Sequence, residues 1–138
     1  MASVIYDAFK QKVMDAEADL DSGTFYVALL SNAYSPNAKT HAVWSDISGS
    51  EISGTGYVAG GTLLAGMTVT LNTTTDKAIL SANNVTWPNS TITARYCAIY
   101  KYTAPQWLVC AFDFGADKAS NNGDFTIQWN ASGILDLT

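Results

Sequence analysis

The residues that could do chemistry in this chain are few and far apart. His41 is the only histidine and stands in a Thr/Lys/Ala loop. A metal site or a His-activated nucleophile needs partners arranged around the imidazole, and none is identifiable near it. Asp46, Glu51 and Asp113 are scattered carboxylates. Glycoside hydrolysis asks for two carboxyl groups held a fixed distance apart, which spacing along a chain neither provides nor excludes. Asp113 ends a strand-like segment, where a structural hydrogen bond is the expected role. No G-x-S-x-G occurs. Gly54-Thr55-Gly56 is followed by no GxxxxGK[ST], so it reads as turn glycine and not as a phosphate loop. We therefore assign no catalytic, cofactor-binding or metal-ligating residue and expect no enzyme. Tyr34, Trp44, Tyr57 and Trp87 could stack on sugars, or serve as core or interface anchors, where Trp and Tyr are favoured; we adopt the second role.

Two cysteines remain, Cys97 and Cys110, and they lie within the stretch most committed to structure. Ile92–Phe114 reads ITARYCAIYKYTAPQWLVCAFDF, two arms dense in the β-branched and aromatic residues that suit a pleated surface. Pro105 cannot donate to a ladder and belongs at the turn or at the first residue of the returning strand. A turn centred between Thr103 and Ala104 sets Tyr100 opposite Trp107, Ala98 opposite Val109 and Cys97 opposite Cys110. Directly opposed Cβ atoms lie about 4.5–5.5 Å apart, wider than the ~3.8 Å of a disulfide. We expect two buried, reduced thiols with no metal between them, since a structural zinc takes four ligands.

The elements around this hairpin follow from periodicity. Ile5, Phe9, Val13, Ala16 and Leu20 share one face of a helical period, which predicts a helix over about residues 3–20, with Ser3 as N-cap and Asp7 favoured in the first turn. Such a helix either covers one side of a sheet, the reading we adopt, or docks on a neighbouring subunit. Asp21-Ser22-Gly23 is a turn. Phe25–Leu30, FYVALL, is a central strand covered on both faces. Residues 31–43 form a surface loop, and 44–47 are ambiguous between a helical turn and an extended segment. The glycines between 49 and 66 supply turns and positive φ. Met67, Val69 and Leu71 alternate with polar residues as a half-buried strand. Residues 78–80 and 85–87 are short strand candidates, and 115–123 a loop. Phe125, Ile127 and Trp129 give the cleanest alternation, and 134–137 a last strand. One helix followed by seven to nine short strands predicts a single domain over 1–138, mainly β, an antiparallel β-sandwich (jelly-roll-like) with one N-terminal α-helix.

Composition narrows the class of partner. In 138 residues, 48% are hydrophobic and only 14% charged, against about 25% charged in ordinary soluble proteins. Thr, Ser, Asn and Gly replace the missing charge, which suits a protein packed against others. The net charge of −5 and scattered basic residues argue against nucleic acid, whose phosphates need clustered Lys or Arg. No apolar run approaches the ~20 residues that span a bilayer. The opening MASVIYDAF lacks the basic and apolar regions of a secretory signal, so a reducing cytoplasm is expected. The N-x-S/T triplets at Asn72, Asn84, Asn89 and Asn130 then read as turn and strand-edge composition, not glycan acceptors.

Four segments, in order and spanning nearly the whole chain, carry a resemblance: VIYDAFKQKVMDAEADLDSGTFYVALLSNAYSP, SDISGSEISGTGYVAGGTLL, NNVTWPNSTITARYCAIY and FTIQWNASGIL. Together they resemble a family of small virion structural proteins of tailed bacteriophages, of the capsid decoration or cement type. The resemblance implies a small β-sandwich protein that binds the outside of the shell and stabilises it. Its partner would be the major capsid protein, and it would form a homo-oligomer, a trimer by the family's habit. Assembly would occur in the host cytoplasm and residence on the capsid surface. It implies no catalytic residue. The alternative is a tail or surface module that binds a host glycan or receptor.

Overall fold

The computed structural model describes residues 2–137. Strands dominate: β1 (Ala2–Ile5), β2 (Phe25–Leu30), β3 (Thr62–Leu63), β4 (Thr68–Asn72), β5 (Lys77–Ser81), β6 (Val85–Ser90), β7 (Thr93–Lys101), β8 (Leu108–Ala119), β9 (Gly123–Ile127) and β10 (Leu135–Leu137), with one α-helix, α1 (Asp7–Met14). Every pairing is antiparallel. β1-β8-β7-β2-β3 form a five-stranded sheet, β10-β5-β4 a three-stranded one, and β6-β9 a two-stranded ribbon. The chain is thus mainly β with one helix, as expected.

β2 is the central strand the apolar run predicts. Phe25, Val27, Ala28, Leu29 and Leu30 are buried, and β7 and β3 flank it. Gly61 makes that packing possible. Its φ is +86°, a left-handed conformation open to glycine, and a Cβ there would run into the Val27 carbonyl. Residues 44–46 resolve as a short 3-10 turn.

The N-terminal helix is shorter than its period. Ser3 lies in β1, which pairs with β8 through Ile5 opposite Cys110. β-branched Val4 and Ile5 suit a strand, and the ladder outweighs the helical spacing. The N-cap is Tyr6, with no side-chain capping bond, and not Ser3. Asp7 occupies the first turn as expected and pairs with Lys10 at 3.1 Å. The helix ends at Met14, because Ala16 turns left-handed (φ +59°) and the Glu17 and Ala18 amides fold back on the Lys12 carbonyl. Phe9 is buried, while Ala16 is exposed. Lys12 anchors the helix to the hairpin, its ammonium 4.6 Å from the Trp107 ring, with Lys101 at 4.7 Å.

The β7–β8 hairpin exists, in a different register from the one expected. Tyr100 faces Leu108, Ala98 faces Ala111, Cys97 faces Phe112 and Ile99 faces Cys110. The turn is one residue longer, with the Lys101 amide bonded to the Trp107 carbonyl. The register shifts again between Ile99 and Tyr100, where Val109 is the extra residue of a bulge. Residues 115–119, part of the segment 115–123 expected as loop, continue β8, and Lys118 and Ala119 pair with Ala94 and Thr93 at the start of β7. Gly115, at φ +85°, carries the strand through the irregularity that separates the two halves.

The half-buried strand at Met67–Leu71 is present as β4, but it is not half-buried. Thr68 to Leu71 are all exposed. The three-stranded sheet has an apolar face, with Val69 beside Leu80 and Leu135, and Leu71 beside Ala78 and Leu137. The chain's own helix stops short of covering it.

Candidate functional site

The residues with chemical potential are tied individually into the frame. His41 Nδ1 lies 3.5 Å from the Tyr34 hydroxyl, which in turn pairs with the buried Tyr6 hydroxyl. Burial pushes both phenols above the usual tyrosine range, and Tyr6 most strongly. Asp46 accepts the Ala42 and Val43 amides at 2.9 and 3.1 Å. Those two bonds hold its carboxyl below the usual range. Glu51 accepts the Tyr57 hydroxyl at 2.6 Å and the Gly60 amide at 2.7 Å, while the Tyr57 oxygen accepts the Leu29 amide at 3.0 Å. This chain ties the glycine-bearing loop to the central strand. Burial, with the Glu51 bond, drives the Tyr57 phenol well up. Asp113 takes a bidentate pair from Arg95 at 2.7 and 3.3 Å, which holds its carboxyl low. The structure therefore brings none of these carboxylates together with His41 as a working set. Among the described residues no cluster of three His, Cys, Asp or Glu side chains forms.

The cysteines are both buried and free. Burial pushes the Cys97 thiol up to about 12 and Cys110 well above its ordinary value, so neither presents a thiolate at neutral pH.

The aromatics divide between core and packing roles. Tyr34 and Trp87 are buried. Trp44 stacks on Tyr100 with centroids 4.6 Å apart, and Tyr57 is held as above. Trp44 and Tyr57 are half-buried.

One open surface is mainly apolar. A groove of about 760 Å³ runs between α1 with the segment after it and the three-stranded sheet, lined by Phe9, Val13, Leu20, Val69, Leu80 and Leu135 among others. Its rim exposes Met14 (88%), Leu137 (65%) and Val69 (44%), and Leu71 (73%) continues the same sheet face. Lys10, Asp19, Asp21 and Asp136 border it. A groove this apolar, with charge only at its margin, suits a protein surface better than a polar ligand. Sequence reasoning missed these residues as a site. The Val69/Leu71 alternation marked an apolar face, but alternation does not say what covers it.

No protein-family model matches the chain, and comparison with curated proteins and with solved structures returns no match.

Proposed function

We propose that this chain is a phage virion structural protein of the capsid decoration, or cement, type. It binds the outer surface of a shell of major capsid protein and stabilises it, as a homo-oligomer, with the trimer the arrangement the resemblance implies. It is assembled in the host cytoplasm and resides on the capsid surface. This role asks no reaction of the chain.

The observation that carries the reading is the uncovered apolar face of the β10-β5-β4 sheet and its groove against α1. Exposed apolar surface of this kind marks an interface, and the low charge of the chain leaves little to repel a neighbouring subunit. A sandwich with jelly-roll-like connections is part of the same proposal. It is supported by one continuous core that joins Leu80 of the three-stranded sheet to β2 and β7 of the larger one.

A tail or surface module that binds a host glycan or receptor is the second reading. It draws on Tyr26 and Tyr102, stacked with centroids 4.1 Å apart, where Tyr102 is 46% exposed.

The test is addition of purified protein to shells that lack it. Stoichiometric binding that raises the shell's melting temperature, lost in Met14→Asp, is the expected result. Intact protein that ignores such shells and binds cell-surface glycan instead overturns it.

A further inference from the structure

We infer that β4 is a self-pairing edge, through which two copies join antiparallel with Thr70 opposite Thr70 on a two-fold axis. The inference rests on the strand itself and not on the shell-binding reading.

β4 is the outer strand of its sheet, and its register with β5 is regular from Thr68 to Asn72. Among the described residues its backbone makes no hydrogen bond beyond that pairing. One row of its amides and carbonyls therefore faces outward unpaired, a ready template for another strand. Edge strands are normally blunted by charge, proline, bulges or brevity. Most of the other edges show these devices: Pro88 in β6, Asp124 in β9, Asp136 in β10, and only two residues in β3, while β1 (ASVI) has no charge or proline but is one residue shorter than β4. β4, TVTLN, has none of them and is the longest edge strand without charge or proline.

The sequence of β4 is also self-complementary. In an antiparallel pair centred on Thr70, Val69 of each copy meets Leu71 of the other on one face. Thr68 meets Asn72, and Thr70 meets its own counterpart, on the opposite face. Apolar thus faces apolar and hydroxyl faces polar, the cross-strand pairs that stabilise sheets. A slip of one residue sets Val69 against Thr70 and loses this match. The contact is isologous, as a two-fold interface must be. It makes one six-stranded sheet whose apolar face runs across the axis.

The size of the contact sets its strength. Pairing five residues over about 17 Å, with Val69 and Leu71 partly covered in each copy, removes on the order of 600 Å² from water over the two copies, little more than a third of the roughly 1,600 Å² of a standard interface. A contact this far below the standard size is weak and reversible, and it fills readily where copies are held side by side.

Sedimentation of the intact chain in the absence of shells, from about 20 µM to 1 mM, the range over which a weak contact fills, should show a shift from monomer toward dimer, the trimer of the proposed function being an arrangement formed on the shell. Leu71→Lys alters an exposed side chain and should stay monomeric at the same melting temperature. Val69→Glu combined with Leu71→Lys sets opposite charges across the axis and should recover the dimer at low salt. Thr70→Cys should give disulfide-linked dimers under mild oxidation, while Thr126→Cys, exposed on β9, should not. A wild type that stays monomeric throughout, a dimer that Leu71→Lys leaves intact, or equal cross-linking at both positions would overturn the inference.

Discussion

Cys97 and Cys110 sit diagonally across the β7–β8 ladder. Cys97 is opposite Phe112 and Cys110 is opposite Ile99, two residues along each strand from the direct pairing. Diagonal positions lie about 7–8 Å apart at Cα, beyond the 4.4–6.8 Å that a disulfide usually spans. Titration in denaturant without reductant should therefore count two free thiols per chain. In the native state at pH 8 neither should react with a thiol reagent on the time scale of minutes, because burial suppresses both thiolates. A count near zero would mean that the strands can slip into the direct register.

Phe9 is the buried anchor of α1 and also lines the groove. Phe9→Ala should cost about 3–5 kcal/mol, the usual range for a core aromatic. A loss below about 1 kcal/mol by chemical denaturation would place the ring outside the core.

Tyr57 joins a loop to the central strand through its hydroxyl. Tyr57→Phe removes the acceptor of the Leu29 amide and the donor to Glu51. Leaving that amide unpaired should cost about 1–3 kcal/mol. Glu51→Gln retains an acceptor for both of its donors and should cost less. Equal losses in the two variants would show that the carboxylate charge, and not the hydroxyl, holds the loop.

The Arg95–Asp113 pair sets a pH dependence. Arg95 lowers the folded-state pKa of Asp113 below the unfolded value of about 3.9. Its contribution is then fully present above that value and lost as pH falls through the lower folded one. The melting-temperature gap between wild type and Asp113→Asn should be constant from pH 5 to 7 and close below pH 4. A gap that persists at pH 2 would assign the effect to packing.

Much of this architecture was legible beforehand for a local reason. The FYVALL run has no polar face to turn outward, so it had to be a strand covered on both sides. The two apolar arms around Pro105 had to pair, and the two cysteines had to be buried. What escaped sequence reasoning depends on contacts distant along the chain. Val4 and Ile5 satisfy a helical spacing and a strand equally well, and the ladder with β8 decides between them. The hairpin register turned on a bulge at Val109 and a turn one residue longer. The polar string after Phe114 looks like loop, yet pairs with Thr93 and Ala94. For the candidate site, Val69 and Leu71 announced an apolar face without revealing that the helix meant to cover it ends at Met14.

The central claim is that this chain is a component of a phage shell surface. Its most direct test is the copy number in purified virions, from gel densitometry against the major capsid protein. A copy number comparable with that of the shell subunit is the predicted result. A handful of copies per particle, fitting a tail, or absence of the chain from the virion would contradict the account.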